Sequence, residues 1–289
     1  MKKWIALLLA ALLVFSLAAC SNNTPASDTA ETGEPATTED TAETAETDSA
    51  SDKAYVQEKG TLIVGITDFA PMDYQENGEW IGFDADMAKA FAESLGVAAE
   101  FQLIEWDNKV MELDGKTIDV VWNGMTLTDE VTSAMATSTP YCTNYQVLVY
   151  PAASAADFEG LTSLEGLNIA VESGSAGEDA AEALGASTVP VQSQANTLME
   201  VAAGTSDAAV IDVLMAAAMT GEGTSYADLA YSVNLNEAQG LESEQYGVGF
   251  RQGSDLVDEF NAFWAEKVAD GTVEEIANTY GLQDAVILE

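Results

Sequence analysis

The stretch Trp122–Val131, WNGMTLTDEV, places an amide, a glycine and two threonines directly after the apolar run IDVV (Ile118–Val121). A polar cluster at the end of a buried strand suits a small polar ligand better than a bond-breaking reaction. Two further spots have the same character. Ser173, Gly174, Ser175 and Ala176 precede a helix-like stretch, and unpaired backbone N–H groups at a helix start suit an anionic group. Asp212 ends the apolar run DAAVI, where a buried carboxylate is unfavourable without a partner. None of these clusters contains a basic side chain; the one arginine in the chain is the distant Arg251.

The composition restricts the chemistry further. The 289 residues carry nine Lys plus Arg, 49 Asp plus Glu and no His, a formal net charge of −40. Such a surface repels nucleic acid and anionic headgroups, so nucleic acid is not an expected partner. Without His the chain lacks the commonest general base near neutral pH and the commonest metal ligand. No nucleophile stands beside a base, and no metal-ligand cluster is visible, so we expect no catalytic residues, no metal and no cofactor. Cys142 has no His neighbour to activate it and reads as structural.

The elements that must position these residues follow an alternating rhythm. TLIVGI (Thr61–Ile66) is a strand. FDADMAKAFAESLG sets Phe83, Met87, Phe91 and Leu95 four apart on one helix face, with Asp84 and Asp86 in the first turn. Ala99–Ile104 is a strand, a short helix starts near Asp107, and IDVVW is a strand. This βαβαβ order implies a parallel sheet with helices on its faces. The rhythm restarts with strands at Tyr145–Tyr150, Leu167–Val171, TVPV and Asp207–Ile211, with helices EDAAEALG and SQANTLMEVAAG between them. YGVGF (Tyr246–Phe250) returns as a strand to the first unit, and two amphipathic helices close the chain. We infer an α/β protein of two lobes, 55–144 with 246–289 and 145–245. The chain crosses between them near Cys142–Val147 and near Ser243–Gly247. Ligands of open α/β sheets sit at the carboxyl ends of strands, so the cleft between the lobes is the expected site.

The N-terminus gives the address. Lys2 and Lys3 precede the apolar run Trp4–Leu17, which ends in LAAC (Leu17–Cys20). This is a secretory signal, too short and wrongly flanked to span a bilayer. Its end resembles a bacterial lipobox, which implies a signal peptide at 1–19 and lipid on Cys20. Residues 20–52 (TAETAETDSASD and similar) hold too little apolar surface to fold, and are expected to form a disordered acidic tether.

Four segments in order, Gly65–Val97, Trp106–Glu130, VESGSAGE (Val171–Glu178) and SDAAVID (Ser206–Asp212), carry a family resemblance. With GFDADMAKA and NGMTLTDE at matching spacing, the chain resembles the family 3 extracellular solute-binding proteins over Tyr55 to about Tyr280. The resemblance implies a two-lobe, periplasmic-binding-protein-like clamp of type II, hinged on two crossover segments. It also implies a non-enzymatic receptor that delivers a small ligand, an amino acid, to an ABC permease. The receptor would be a monomer held by Cys20 on the outer face of the cytoplasmic membrane, or in a periplasm. The alternatives are a receptor for a cationic amine without an α-carboxylate, or an enzyme resembling cyclohexadienyl dehydratases.

Residue by residue, the resemblance implies that Phe69 stacks on the ligand and Trp106 forms the opposite wall; a ring face attracts a cation by roughly 0.5–2 kcal/mol. Asp68 would reach a polar terminus of the ligand. Asn123, Gly124, Met125 and Thr126 match the segment that binds the amino group and carboxylate, and Gly124 would let backbone approach closely. Ser173, Ser175 and Ala176 lie at the helix start, and Asp212 matches the acid that pairs with an ammonium. Typical members grip the α-carboxylate with an arginine, whose fork no other side chain reproduces. Here that position is Val131. Either the Ser175 and Ala176 amides, the helix start and Thr126 hold the carboxylate, or Lys109 substitutes, or the ligand has none.

Overall fold

The computed structural model describes residues 51–240 and 243–288. The leader, Cys20 and the tether up to residue 50 lie outside the described residues. No helix among those described is long and apolar enough to cross a membrane.

Thirteen strands build the molecule: β1 Thr61–Ile66, β2 Tyr74–Glu76, β3 Glu79–Ile81, β4 Ala98–Leu103, β5 Val120–Thr126, β6 Ala136–Thr137, β7 Cys142–Asn144, β8 Gln146–Pro151, β9 Asn168–Glu172, β10 Ser187–Val191, β11 Ala208–Asp212, β12 Leu229–Asn234 and β13 Glu244–Phe250. The first large sheet runs β4-β1-β5-β13-β6, with β7 also on β13; the second runs β10-β9-β11-β8-β12; β2 and β3 form a separate hairpin. The expected parallel core is present in each sheet: β1 pairs in parallel with β4 and β5, and β9 with β10 and β11. Each sheet is nonetheless mixed. β8 runs antiparallel to β11, and β13 antiparallel to β5. These are the strands through which the chain leaves and re-enters the first sheet. Only Tyr145 separates β7 from β8, and β13 pairs with β7 in the register Glu244↔Asn144. The two crossovers are therefore hydrogen-bonded neighbours.

The helix Phe83–Ser94 buries Phe83, Met87 and Phe91 as its spacing requires. It starts after Gly82 (φ +125°), where a Cβ would lie 2.1 Å from the Met72 carbonyl oxygen, so no other residue fits. Phe91, Trp122, Tyr141, Phe260 and Trp264 interlock between this helix, β5 and the closing helix Leu256–Ala269; Trp122 and Phe260 meet edge-on at 5.0 Å. The short helix expected at Asp107 begins as a tight turn, Trp106–Asn108, and continues as Lys109–Asp114.

Asp52, taken from sequence as the last residue of the tether, opens a helix instead, Asp52–Lys59. Arg251 is the cause. Its Nε donates to Asp52 at 3.0 Å and its Nη1 to the carbonyls of Leu113 and Ile118. A buried guanidinium needs such partners, and Asp52 supplies the charge. The chain's one arginine is thereby committed to the core. Cys142 is buried, and burial pushes its thiol well up, so it is no thiolate at neutral pH.

Candidate functional site

The carboxyl ends of β5, β9 and β11 meet around a cavity of about 140 Å³. A dry cavity of about 150 Å³ holds a benzene in another protein, so a small organic molecule fits here. A more open cleft of about 450 Å³ shares Thr126, Thr128, Ala176 and Asp179 with it. The two sheet systems touch across the cavity. Lys109 Nζ donates to the Gly174 carbonyl at 3.0 Å, and Gln192 donates to Glu105. A Cβ on Gly174 would lie 2.8 Å from Asp107 Cα, so glycine permits this close approach.

Of the residues singled out in the sequence, Trp106, Asn123, Gly124, Met125, Thr126, Ser175, Ala176 and Asp212 line this cavity together. Three do not. Phe69 is 1 % exposed and packs behind the wall, where a Cβ on Gly124 would meet its ring at 2.5 Å. Asp68 is exposed and lines a different cleft beside Tyr74 and Met215. Ser173 donates its amide to Val191 and is absent from the lining.

Asn123 and Gly124 are fixed from behind. Asn123 Oδ1 accepts from the Thr67 amide and hydroxyl, and its Nδ2 donates to Asp73 at 2.7 Å. The Gly124 amide donates to Asp84 Oδ2 at 2.7 Å, which also accepts from the Tyr141 hydroxyl. Asp84 is the first aspartate of the GFDADM segment, so two distant motifs are joined by one carboxylate. Burial, opposed by these hydrogen bonds, brings Asp84 up to about 7.

The crossovers carry a second network. Asp212 Oδ1 accepts from the amides of Asn144 and Gln146, and Oδ2 from Gln194. The same Asn144 and Gln146 amides donate to Glu244 Oε2, which also takes the Thr126 hydroxyl at 3.1 Å. Asp212 is pushed up to about 7, by burial first and by the Glu244 charge second.

At the start of the helix Ala176–Ala183, the Ser175 hydroxyl caps the Glu178 amide. Gly174 donates its amide to Glu178 and Ser175 donates to the Glu172 carbonyl. Among the described residues, this leaves the Ala176 and Gly177 amides as the donors without a protein partner there.

Sequence reasoning missed Glu172, the last residue of β9. It lines the cavity, is 4 % exposed, and its Oε1 has no hydrogen-bond partner. Burial first, and the Asp212 charge after it, push the carboxyl up to about 8. The signal was available: Glu172 ends a buried strand as Asp212 does. The cavity wall also includes Asp107, Glu130 and Asp179, all exposed, against one cation, Lys109. Lys109 lies 5.0 Å over the Trp106 ring, and burial lowers its pKa. Val131 sits in an apolar group with Trp106, Leu113 and Met125. No group of three or more His, Cys, Asp or Glu among the described residues is arranged to hold a metal.

The model for bacterial extracellular solute-binding proteins, family 3, matches residues 62–283. The chain is 28% identical over 288 residues to the arginine-binding extracellular protein ArtP of Bacillus subtilis (strain 168), covering 96% of each chain. A crystal structure of a mutant ArgBP from T. maritima superimposes with a TM-score of 0.71 at 30% identity, covering 79% of this chain and 98% of that one. The ancestral amino acid-binding protein AncCDT-1, a precursor of cyclohexadienyl dehydratase, gives 0.70 at 28% identity, covering 80% and 99%.

Proposed function

The chain belongs to the bacterial extracellular solute-binding proteins, family 3, and we propose that it is the substrate-binding receptor of an ABC importer, taking one small amino compound into the cavity between its sheets. The observation that carries this is the convergence of Trp106, the Asn123–Thr126 strand end, the Ala176 helix start and Asp212 on a single enclosed space. The relatives are binding proteins whose names specify amino acids, which supports an amino acid as the ligand here.

The ligand enters between the halves and meets Trp106 and the β5 end. Closure about the paired crossovers β7 and β13 then adds Asp212 and the helix start. Closure is favoured by the difference in ligand affinity between the closed and open forms. Cys20 carries the lipid anchor, and the acidic tether keeps the receptor near its permease at high effective concentration.

The ligand leaves unchanged. A dehydratase on this scaffold would need cationic anchors for its carboxylates, and among the described residues Lys109 is the one cation in the cavity wall.

A thermal-shift panel of amino acids, amines and betaines tests the receptor role. A ligand at 100 times its Kd adds roughly 2.7 kcal/mol of stability. At least one member is expected to raise the melting temperature and be recovered intact. A panel that leaves the midpoint unmoved throughout overturns the proposal.

A further inference from the structure

The cavity offers many acceptors and few donors. The donors expected for a ligand carboxylate are mostly spent: the Gly124 amide on Asp84, the Thr126 hydroxyl on Glu244, and the Gly174 amide on Glu178. No guanidinium reaches the site, because Val131 stands in an apolar group and Arg251 is tied to Asp52. Among the acids, Asp212 already accepts three side-chain amides. Glu172 differs. It is 4 % exposed, it lines the cavity, and its Oε1 has no partner. A buried carboxyl oxygen without a donor is costly, and one on a residue that lines a cavity is within reach of completion by a ligand donor.

We propose that Glu172 accepts a cationic group of the ligand and makes this cavity select compounds of net positive charge. The inference rests on the receptor function proposed above and adds the ligand's charge class to it.

The step that accompanies binding is a proton exchange. Burial raises the Glu172 carboxyl to about 8, with Asp212 adding to the rise and Lys109 opposing it. At neutral pH the empty site therefore holds Glu172 as the neutral acid. A cation entering beside it favours the carboxylate, so the O–H bond breaks, the proton goes to solvent, and the ligand N–H takes its place. The charged groups that bear on Glu172 are Asp212 on β11 and Lys109 on the facing helix; Asp107, Glu130 and Asp179 line the same cavity, and Glu244 acts through Asp212.

Calorimetry at pH 7 in two buffers of different ionisation enthalpy tests this with matched pairs: L-lysine and L-norleucine, L-arginine and L-citrulline, 1,4-diaminobutane and 1-butanol. Wild type is expected to bind the cationic member of a pair at least tenfold more tightly and to release a proton on binding. Glu172→Gln is expected to weaken that member at least tenfold, leave the neutral member within a few-fold, and cut the release to what Asp212 alone supplies. Glu172→Asp, which keeps the charge, should retain release. The amino acids against the diamine show whether the cation arrives with a carboxylate. Equal affinity within the pairs, with Glu172→Gln indifferent to both, overturns the inference and leaves the receptor function standing. A wild type that binds nothing in this panel or the wider one overturns both.

Discussion

Buried carboxylates crowd together at two places in this protein, and they do different work. Beneath the β5 end, Asp73 and Asp84 are fully buried. At the cavity wall, Glu172 and Asp212 are nearly so. Burial is the largest cause of the raised pKa in all four. Partners separate them. Asp84 takes the Gly124 amide and the Tyr141 hydroxyl, and Asp73 takes the Asn123 amide. Each of the two also has an oxygen without a donor, but those oxygens do not line the cavity. Burial first, and the Asp84 charge after it, hold the Asp73 carboxyl well above the usual carboxylate range. Glu172 has an equally bare and equally buried oxygen, but the residue that carries it lines the cavity. A strongly raised acid thus marks a structural lock where side chains enclose it, and a binding group where space does.

The sharpest break between the two clusters is in stability. Asp84→Ala leaves the Gly124 amide and the Tyr141 hydroxyl buried without acceptors, at about 1–3 kcal/mol each. For a domain of this size the ligand-free melting temperature should fall by roughly 5–20 °C. Glu172→Gln keeps an acceptor oxygen for the Thr67 hydroxyl and the Gln194 amide, which oppose the rise at Glu172, and should leave the melting temperature near that of wild type at pH 7. If Asp84→Ala melts like wild type, the lower cluster is not a lock and the distinction collapses.

The next effect in size is the pH dependence. Glu172 rises from an ordinary 4.5 to about 8, and Asp84 from 3.8 to about 7. For an acid raised in the folded state, the folded form binds more protons than the unfolded one between those values. Its contribution is complete below the ordinary pKa and is lost as pH rises through the folded one. Each such group tilts stability by up to about 1.4 kcal/mol per pH unit in that window. Ligand-free protein should therefore melt at lower temperature at pH 8 than at pH 5. Repulsion across the −40 surface acts in the same direction, so the informative quantity is the difference from Glu172→Gln. That variant should show a shallower slope between pH 5 and 8. Parallel curves would mean that Glu172 is already ionised in the empty site.

Much of this was legible in the sequence because local pattern and tertiary role coincide. LIVGI and AAVI are buried or half-buried on both faces and read as apolar runs, while Phe83, Met87 and Phe91 repeat at helical spacing. Other elements depend on partners that spacing does not show. The helix Asp52–Lys59 buries only Asp52 and Val56, and is pinned by Arg251 from the other end of the chain. β12 is an edge strand with Tyr231 exposed, held by its pairing with β8. The β2–β3 hairpin did have a local signal, Asn77-Gly78, with both residues at positive φ. At the site, the strand ends were readable because strand-end position decides what faces a cleft. Phe69 was harder: its depth depends on Gly124 lying over it, a contact across 55 positions of chain. The role of Asp84 needed the same long-range fact. Glu172 needed none, only the rule already applied to Asp212.

The smallest effect tests whether the two cavity acids feel their single cation. Lys109 ties the halves by donating to Gly174, and it lowers the pKa of Glu172 from the rise that burial causes. Lys109→Met removes two hydrogen bonds from a charged group, to the Trp106 and Gly174 carbonyls, each worth about 1.5–3 kcal/mol net and less at a partly exposed side chain. It also removes a positive charge that competes with a cationic ligand. These changes oppose each other, so affinity at pH 7 should move only a few-fold. The proton tells them apart. With Lys109 gone, Glu172 should hold its proton to higher pH, because the charge that favoured its carboxylate is missing. At pH 9, where wild-type Glu172 is mostly ionised and binding releases little, the variant should still release a measurable fraction of a proton on binding a cation. Equal release from both proteins would mean that Lys109 is electrostatically separate from Glu172, and the acid would then answer to burial, Asp212 and its hydrogen bonds from Thr67 and Gln194.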